Sequence, residues 1–136
     1  MSMSEKENTD FKLVPIGVVE SELSRIQDAP CQGPGGPEAW IHINKDVVDG
    51  IRDIHVGDKI IVITWLHFSD RKVLNVHPQD NQKNPLTSVF ATRSADRPNP
   101  IGLHTVTVLQ HAGSKIKVGP LEAIHGTPVI DIKPVI

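Results

Sequence analysis

Arg93 and Arg97 are the clearest chemical signal in this chain, in the run Phe90-Ala-Thr-Arg-Ser-Ala-Asp-Arg-Pro-Asn-Pro-Ile-Gly-Leu103. A guanidinium is a rigid fork of donors that suits a carboxylate or a phosphate, so two of them in one short span point to an anionic ligand. The prolines decide how the fork is presented. Each holds its own φ near about −65° and pushes the preceding residue to extended geometry. Arg97-Pro98-Asn99-Pro100 is therefore expected as a stiff, extended loop rather than a helix, with Arg97 and Asn99 held in one backbone shape. A loop of that kind between β-rich flanks at 88–92 and 103–109 presents polar groups at low ordering cost.

Other chemistries are argued against by what the chain lacks. Its seven histidines include no His-x-x-x-His pair, and its single cysteine, Cys31, excludes a Cys-x-x-Cys element, so no metal site is expected. A Gly-x-Ser-x-Gly elbow and a phosphate-cradling glycine loop are absent as well. Cys31 has no His or second Cys near it in sequence and reads as a small inert filler.

Together with Gly126-Thr-Pro-Val-Ile-Asp-Ile-Lys-Pro134, the 90–103 run resembles the signature of the TsaA-like/TrmO family of tRNA methyltransferases. The likeness is dense from about residue 62 onward and thinner over 13–33. It implies S-adenosylmethionine as cofactor, with Pro30, Cys31, Gln32, His67, Phe68, Arg93, Leu103, Glu122, Ala123, Ile124 and His125 around it. By the same likeness Arg97, Asn99 and Lys133 meet RNA. The implied reaction is N-methylation of a threonylcarbamoyl-modified adenosine beside the tRNA anticodon. A methyl transferred to another acceptor, or a cofactor-binding module without activity, are the alternatives. A sulfonium methyl is already activated, so alignment and exclusion of water come first. Asp131 is the candidate base, with His67 and His125 as the other groups able to take a proton at neutral pH. A homodimer with the donor near its interface is also implied. The sequence departs from the family pattern at Cys31, where arginine is usual, at His125, where aspartate is usual, and at Val135, where an aromatic is usual.

The elements that must position these groups are mostly short strands. Segments 13–20, 40–43, 59–68, 71–77, 103–111, 115–118 and 129–133 are rich in β-branched or alternating residues. Continuous apolar character over 59–68 predicts a strand covered on both faces, ending in His67 and Phe68. Ala112-Gly113-Ser114 is a tight hairpin connection, and 28–37 and 78–85 are loops by their breakers. Asn44 is placed to cap a brief helix with Val47, Val48 and Ile51 on one face. The expected fold is mainly β, a small closed antiparallel β-barrel with one or two short helices, which the resemblance also implies.

Length and composition agree. The 136 residues suffice for one core, read as a flexible tail over 1–10 and a single domain over 11–136. The longest apolar run, 60–66, is too short to span a bilayer, and the polar start lacks the apolar core of a secretory signal, so a cytoplasmic protein is expected. The net charge of −2 argues against broad nucleic-acid affinity. Its distribution is uneven. Residues 1–70 carry six Lys+Arg against twelve Asp+Glu, and residues 71–136 carry eight against four, which puts the signature loop in the basic half.

Overall fold

The structure, a computed structural model, describes residues 11–22 and 36–136. Eight strands occur among them: β1 (Gly17–Glu20), β2 (Ala39–Ile43), β3 (Lys59–Trp65), β4 (Asn75–Val76), β5 (Thr87–Ser88), β6 (Ile101–Ala112), β7 (Lys115–Gly119) and β8 (Pro128–Pro134). Six of them close into a barrel in the order β1-β2-β7-β6-β3-β8, with every neighbour antiparallel. Strands β4 and β5 form a separate two-stranded ribbon within the excursion between β3 and β6.

Period-two alternation builds the interior. Val19, Ile41, Ile60, Val62, Val106, Val108, Ile116, Val118 and Val129 all point into one core, each worth about 1.5–3 kcal/mol on full burial. Leu121 and Ala123, from the loop between β7 and β8, join the same cluster. The barrel expectation is met. The hairpin from β6 to β7 turns at Gly113, whose φ of +65° suits a two-residue connection.

Local differences from the sequence reading have physical reasons. In β3 only Ile60, Val62 and Thr64 are buried, while Ile61, Ile63 and Trp65 are half-covered, so the strand has one inner and one outer face rather than two covered ones. Barrel closure explains this, because only the concave side of each strand is enclosed. The first strand begins at Gly17, since residues 11–15 are exposed. Of 71–77, only Asn75–Val76 pairs, and the β-rich flank at 88–92 is mostly the 3-10 turn Val89–Ala91. Lys45–Ile51 is a 3-10 helix in which Ile51 is buried but Val47 is exposed. The Asn44 side chain does not cap it; its Nδ2 donates instead to the Pro15 carbonyl at 3.0 Å.

Candidate functional site

The excursion between β3 and β6 carries most of the motif, and its two ends are tied together. Leu66 N–H donates to the Pro100 carbonyl at 2.8 Å, which continues the β3–β6 pairing past Trp65 and Ile101. Asp70 N–H donates to Asp96 Oδ1 at 2.7 Å. Arg71 Nε donates to the Pro98 carbonyl at 2.7 Å, and its Nη2 reaches Asn99 Oδ1 at 3.3 Å. The turn bearing His67 and Phe68 and the Pro98-Asn99-Pro100 hook are thus one connected unit. Strand β3 stops at Trp65, so His67 and Phe68 stand in the turn beyond it, their rings 4.1 Å apart and exposed.

Within the hook the two arginines have opposite situations. Arg97 spends its fork on the loop itself, donating to the carbonyls of Val89 at 2.6 Å, Ser94 at 3.2 Å and Thr92 at 3.3 Å. Asn99 offers its Oδ1 to Arg71 and its backbone carbonyl to Ile101 N–H, at 2.7 Å. Arg93 is exposed and makes no hydrogen bond or ion pair among the described residues. The free fork is therefore at Arg93, and Arg97 acts as an internal brace.

Leu103, Asp131 and Lys133 share the outer face of the barrel. Leu103 pairs with Ile63, which pairs with Asp131, so the three form one cross-strand row. A register shift beside this row makes Ile130 an extra residue, leaving Asp131 opposite Ile63 and Val129 opposite Thr64. Asp131 Oδ1 accepts from Ile132 N–H at 2.9 Å, and Oδ2 lies 3.4 Å from Lys133 Nζ. Inside the barrel, behind Leu103, His104 Nε2 lies 2.8 Å from Thr64 Oγ1. Burial pushes the His104 imidazole down to about 4, and its Nδ1 has no partner among the described residues. Gly102 makes room for this pair: a Cβ there would stand 2.6 Å from Thr64 Oγ1 and 2.8 Å from His104 Nε2.

The loop from Glu122 to His125 sits at the seam of β1 and β8, where Gly126 N–H donates to the Val19 carbonyl and Val19 N–H to that of Thr127. Ala123 and Ile124 turn their side chains into the core, so their exposed chemistry is main-chain. His125 Nδ1 accepts from Ser21 N–H at 3.3 Å, which puts the ring proton on Nε2. Glu122 differs. Its Oε1 is buried without a hydrogen-bond partner among the described residues, and desolvation raises the carboxyl above the usual carboxylate range. An orphaned acceptor in a loop is suited to a donor from outside the chain.

Three groups of anticipated residues are thus placed: His67, Phe68, Arg97 and Asn99 in the tied excursion, Leu103, Asp131 and Lys133 on the outer face, and Glu122 to His125 at the seam. Pro30, Cys31 and Gln32 lie outside the described residues. An open hollow lined by Gly50, Asp53, Ile54, Ile60, Pro134 and Val135 contains none of them. Among the described residues no three His, Cys, Asp or Glu side chains converge as a metal site requires, and no helix is long and apolar enough to cross a membrane. The sequence reading missed Arg71, His104 and Glu122's orphaned oxygen. Arg71 and His104 have no spacing signal because their hydrogen-bond partners lie 27 or more positions away, and Glu122 has none because its oxygen is enclosed without a partner.

Residues 18–136 match the model of the tRNA-methyltransferase O N-terminal domain. A protein of Methanothermobacter thermautotrophicus named "Probable S-adenosyl-L-methionine-binding protein" is 40% identical over 126 residues, covering 92% of this chain and 90% of the relative. An "S-adenosyl-L-methionine-binding protein" of Archaeoglobus fulgidus is 41% identical over 122 residues, covering 89% and 86%. The crystal structure of TrmO from Pseudomonas aeruginosa superposes with a TM-score of 0.71 at 22% identity, over 93% of this chain and 56% of that one. This chain therefore spans little more than half of that solved protein, and the likeness there is one of fold. The match over 18–136, together with these long alignments, makes this chain a member of the tRNA-methyltransferase O N-terminal domain family.

Proposed function

We propose that this protein binds S-adenosylmethionine and transfers its methyl group to tRNA, the acceptor being the N6 nitrogen of threonylcarbamoyl-modified adenosine beside the anticodon. The observation that carries the reading is Glu122 Oε1, buried and unpartnered in the loop that the motif assigns to the donor. A hydroxyl or amine of a nucleoside would satisfy it. Arg93 supports the same ligand, because its free guanidinium is suited to an amino-acid carboxylate. When bound, S-adenosylmethionine supplies an already activated methyl on sulfur.

The residues of the chain then have limited tasks. Arg93 and Glu122 orient the two ends of the donor, and the exposed rings of His67 and Phe68 shield the reacting atoms from water. Proton removal from the acceptor nitrogen falls to Asp131 or to His67. His125 is less suited, because its acceptor nitrogen is engaged by Ser21. The reading has the protein acting in the cytoplasm as a homodimer that would cover part of Phe68 and Phe90, which are 63% and 78% exposed.

A second reading, a donor-binding module or a methyltransferase for another acceptor, is favoured by one observation. The hook offers RNA less than its sequence suggests, because Arg97 is committed to three carbonyls and Asn99 to Arg71. The test incubates the protein and methyl-labelled donor with tRNA carrying the modified adenosine. Label in that nucleoside supports the first reading. Donor binding without labelled tRNA supports the second, and failure to bind S-adenosylmethionine or S-adenosylhomocysteine rejects both.

A further inference from the structure

Arg71 makes three contacts of different kinds, all to the same small region. Its Nε donates to the Pro98 carbonyl at 2.7 Å, its Nη2 to Asn99 Oδ1 at 3.3 Å, and its Cζ lies 5.1 Å from the centre of the Trp65 ring. Trp65 is the last residue of β3, and Pro98 and Asn99 are the middle of the hook. One guanidinium therefore joins the strand end to the loop that returns to β6. Backbone bonds support the same junction on both sides, Leu66 N–H to the Pro100 carbonyl and Asp70 N–H to Asp96 Oδ1. His67 and Phe68 lie between those two ties and have no other anchor than their mutual ring contact among the described residues.

We infer that Arg71 is a positioning residue for the donor site: it clamps the Pro98-Asn99-Pro100 hook to Trp65 and thereby sets where His67 and Phe68 stand relative to Arg93. The inference rests on the donor-binding reading given above. Only a planar, forked cation meets these demands. A lysine ammonium is a point charge on a flexible stem and cannot serve a carbonyl, a carboxamide and an aromatic face in fixed directions. Arg71 is exposed, so its worth to global stability is small, and its role is to choose one arrangement of the excursion. A useful contrast exists on another part of the barrel wall. Lys115 Nζ sits 4.4 Å from the centre of the Trp40 ring, a cation over a tryptophan with no connection to the motif.

The test compares the native protein with Arg71→Ala, Arg71→Lys and Lys115→Ala by calorimetric titration with S-adenosylhomocysteine, urea unfolding and amide hydrogen exchange. Arg71→Ala and Arg71→Lys should both bind about tenfold more weakly or worse, while Lys115→Ala stays within about twofold. Exchange at the Leu66 amide should speed up at least about fivefold in both Arg71 variants, with Val62, in the middle of β3, unchanged. Native affinity and native Leu66 exchange in Arg71→Ala overturn the inference, as does full recovery in Arg71→Lys. A fall in affinity that only follows global unfolding in urea also overturns it. Should Arg71→Ala fail to fold, Arg71→Lys carries the comparison. If the native protein binds no donor, the functional reading fails, and Leu66 exchange still decides whether Arg71 is the clamp.

Discussion

Thr64 Oγ1 lies 2.8 Å from His104 Nε2 inside the barrel, joining β3 to β6 directly behind Leu103. His104 is only 7% exposed, and its other ring nitrogen has no partner among the described residues, so the folded protein favours the neutral imidazole. Between about pH 4 and 6.5 its acid form is favoured only when the chain opens.

That difference makes stability depend on pH in a definite direction. The His104 imidazole is pushed down to about 4 in the folded protein, against 6.5 when unfolded, so between these values the unfolded chain binds more protons. Stability is therefore undiminished above pH 6.5 and falls as the pH drops toward 4, by about 3 kcal/mol in all. Burial raises Glu122 and contributes the opposite slope above the ordinary carboxylate range. Urea unfolding at a series of pH values checks the decline, and a His104→Phe variant that retains it would show that other groups cause it.

Gly102→Ala should destabilise the fold by about 1–3 kcal/mol, because the new Cβ would meet Thr64 Oγ1 at 2.6 Å in a packed interior. Combining it with Thr64→Ser should not relieve the clash, since the hydroxyl stays. Thermal or urea melts measure both, and an unchanged midpoint for Gly102→Ala would refute the close approach.

The two arginines of the signature should separate by assay. Arg97→Ala removes bonds to three carbonyls and should cost about 1–3 kcal/mol of stability. Arg93→Ala should stay within about 0.5 kcal/mol while weakening donor binding about tenfold or more. Unfolding curves and calorimetry on the same samples decide it. The reverse pattern would exchange the roles given to them.

Glu122→Gln keeps the shape of the side chain but turns one acceptor into a donor amide. Donor affinity should fall about tenfold with no loss of melting temperature, since burial already disfavours the carboxylate. Equal binding by the variant would mean that the donor does not need the Glu122 carboxylate.

Much of this architecture was legible in the chain before folding was considered. Alternating apolar residues in β2, β6 and β7 predict strands with one buried face, and Gly113 between β6 and β7 predicts the hairpin, because both signals depend on near neighbours in sequence. The stiffness of the Pro98–Pro100 hook is likewise local, being a property of proline. The strand predicted over 59–68 extends only over Lys59–Trp65, since a continuous apolar run cannot say where pairing stops or which face a barrel encloses.

By itself, then, the sequence determined a small β-rich domain with a rigid, arginine-bearing loop and a family signature in two segments of its second half. Only the tertiary structure decided that Arg97 is a brace and Arg93 is free, that Arg71 clamps the hook to Trp65, and that Glu122 keeps an unpaired oxygen. The reason is range. Backbone preference is set within a few residues, whereas Arg71 meets Pro98 and Asn99 from 27 and 28 positions away, and even the nearby carbonyls that hold Arg97 converge only once the loop has folded back on itself.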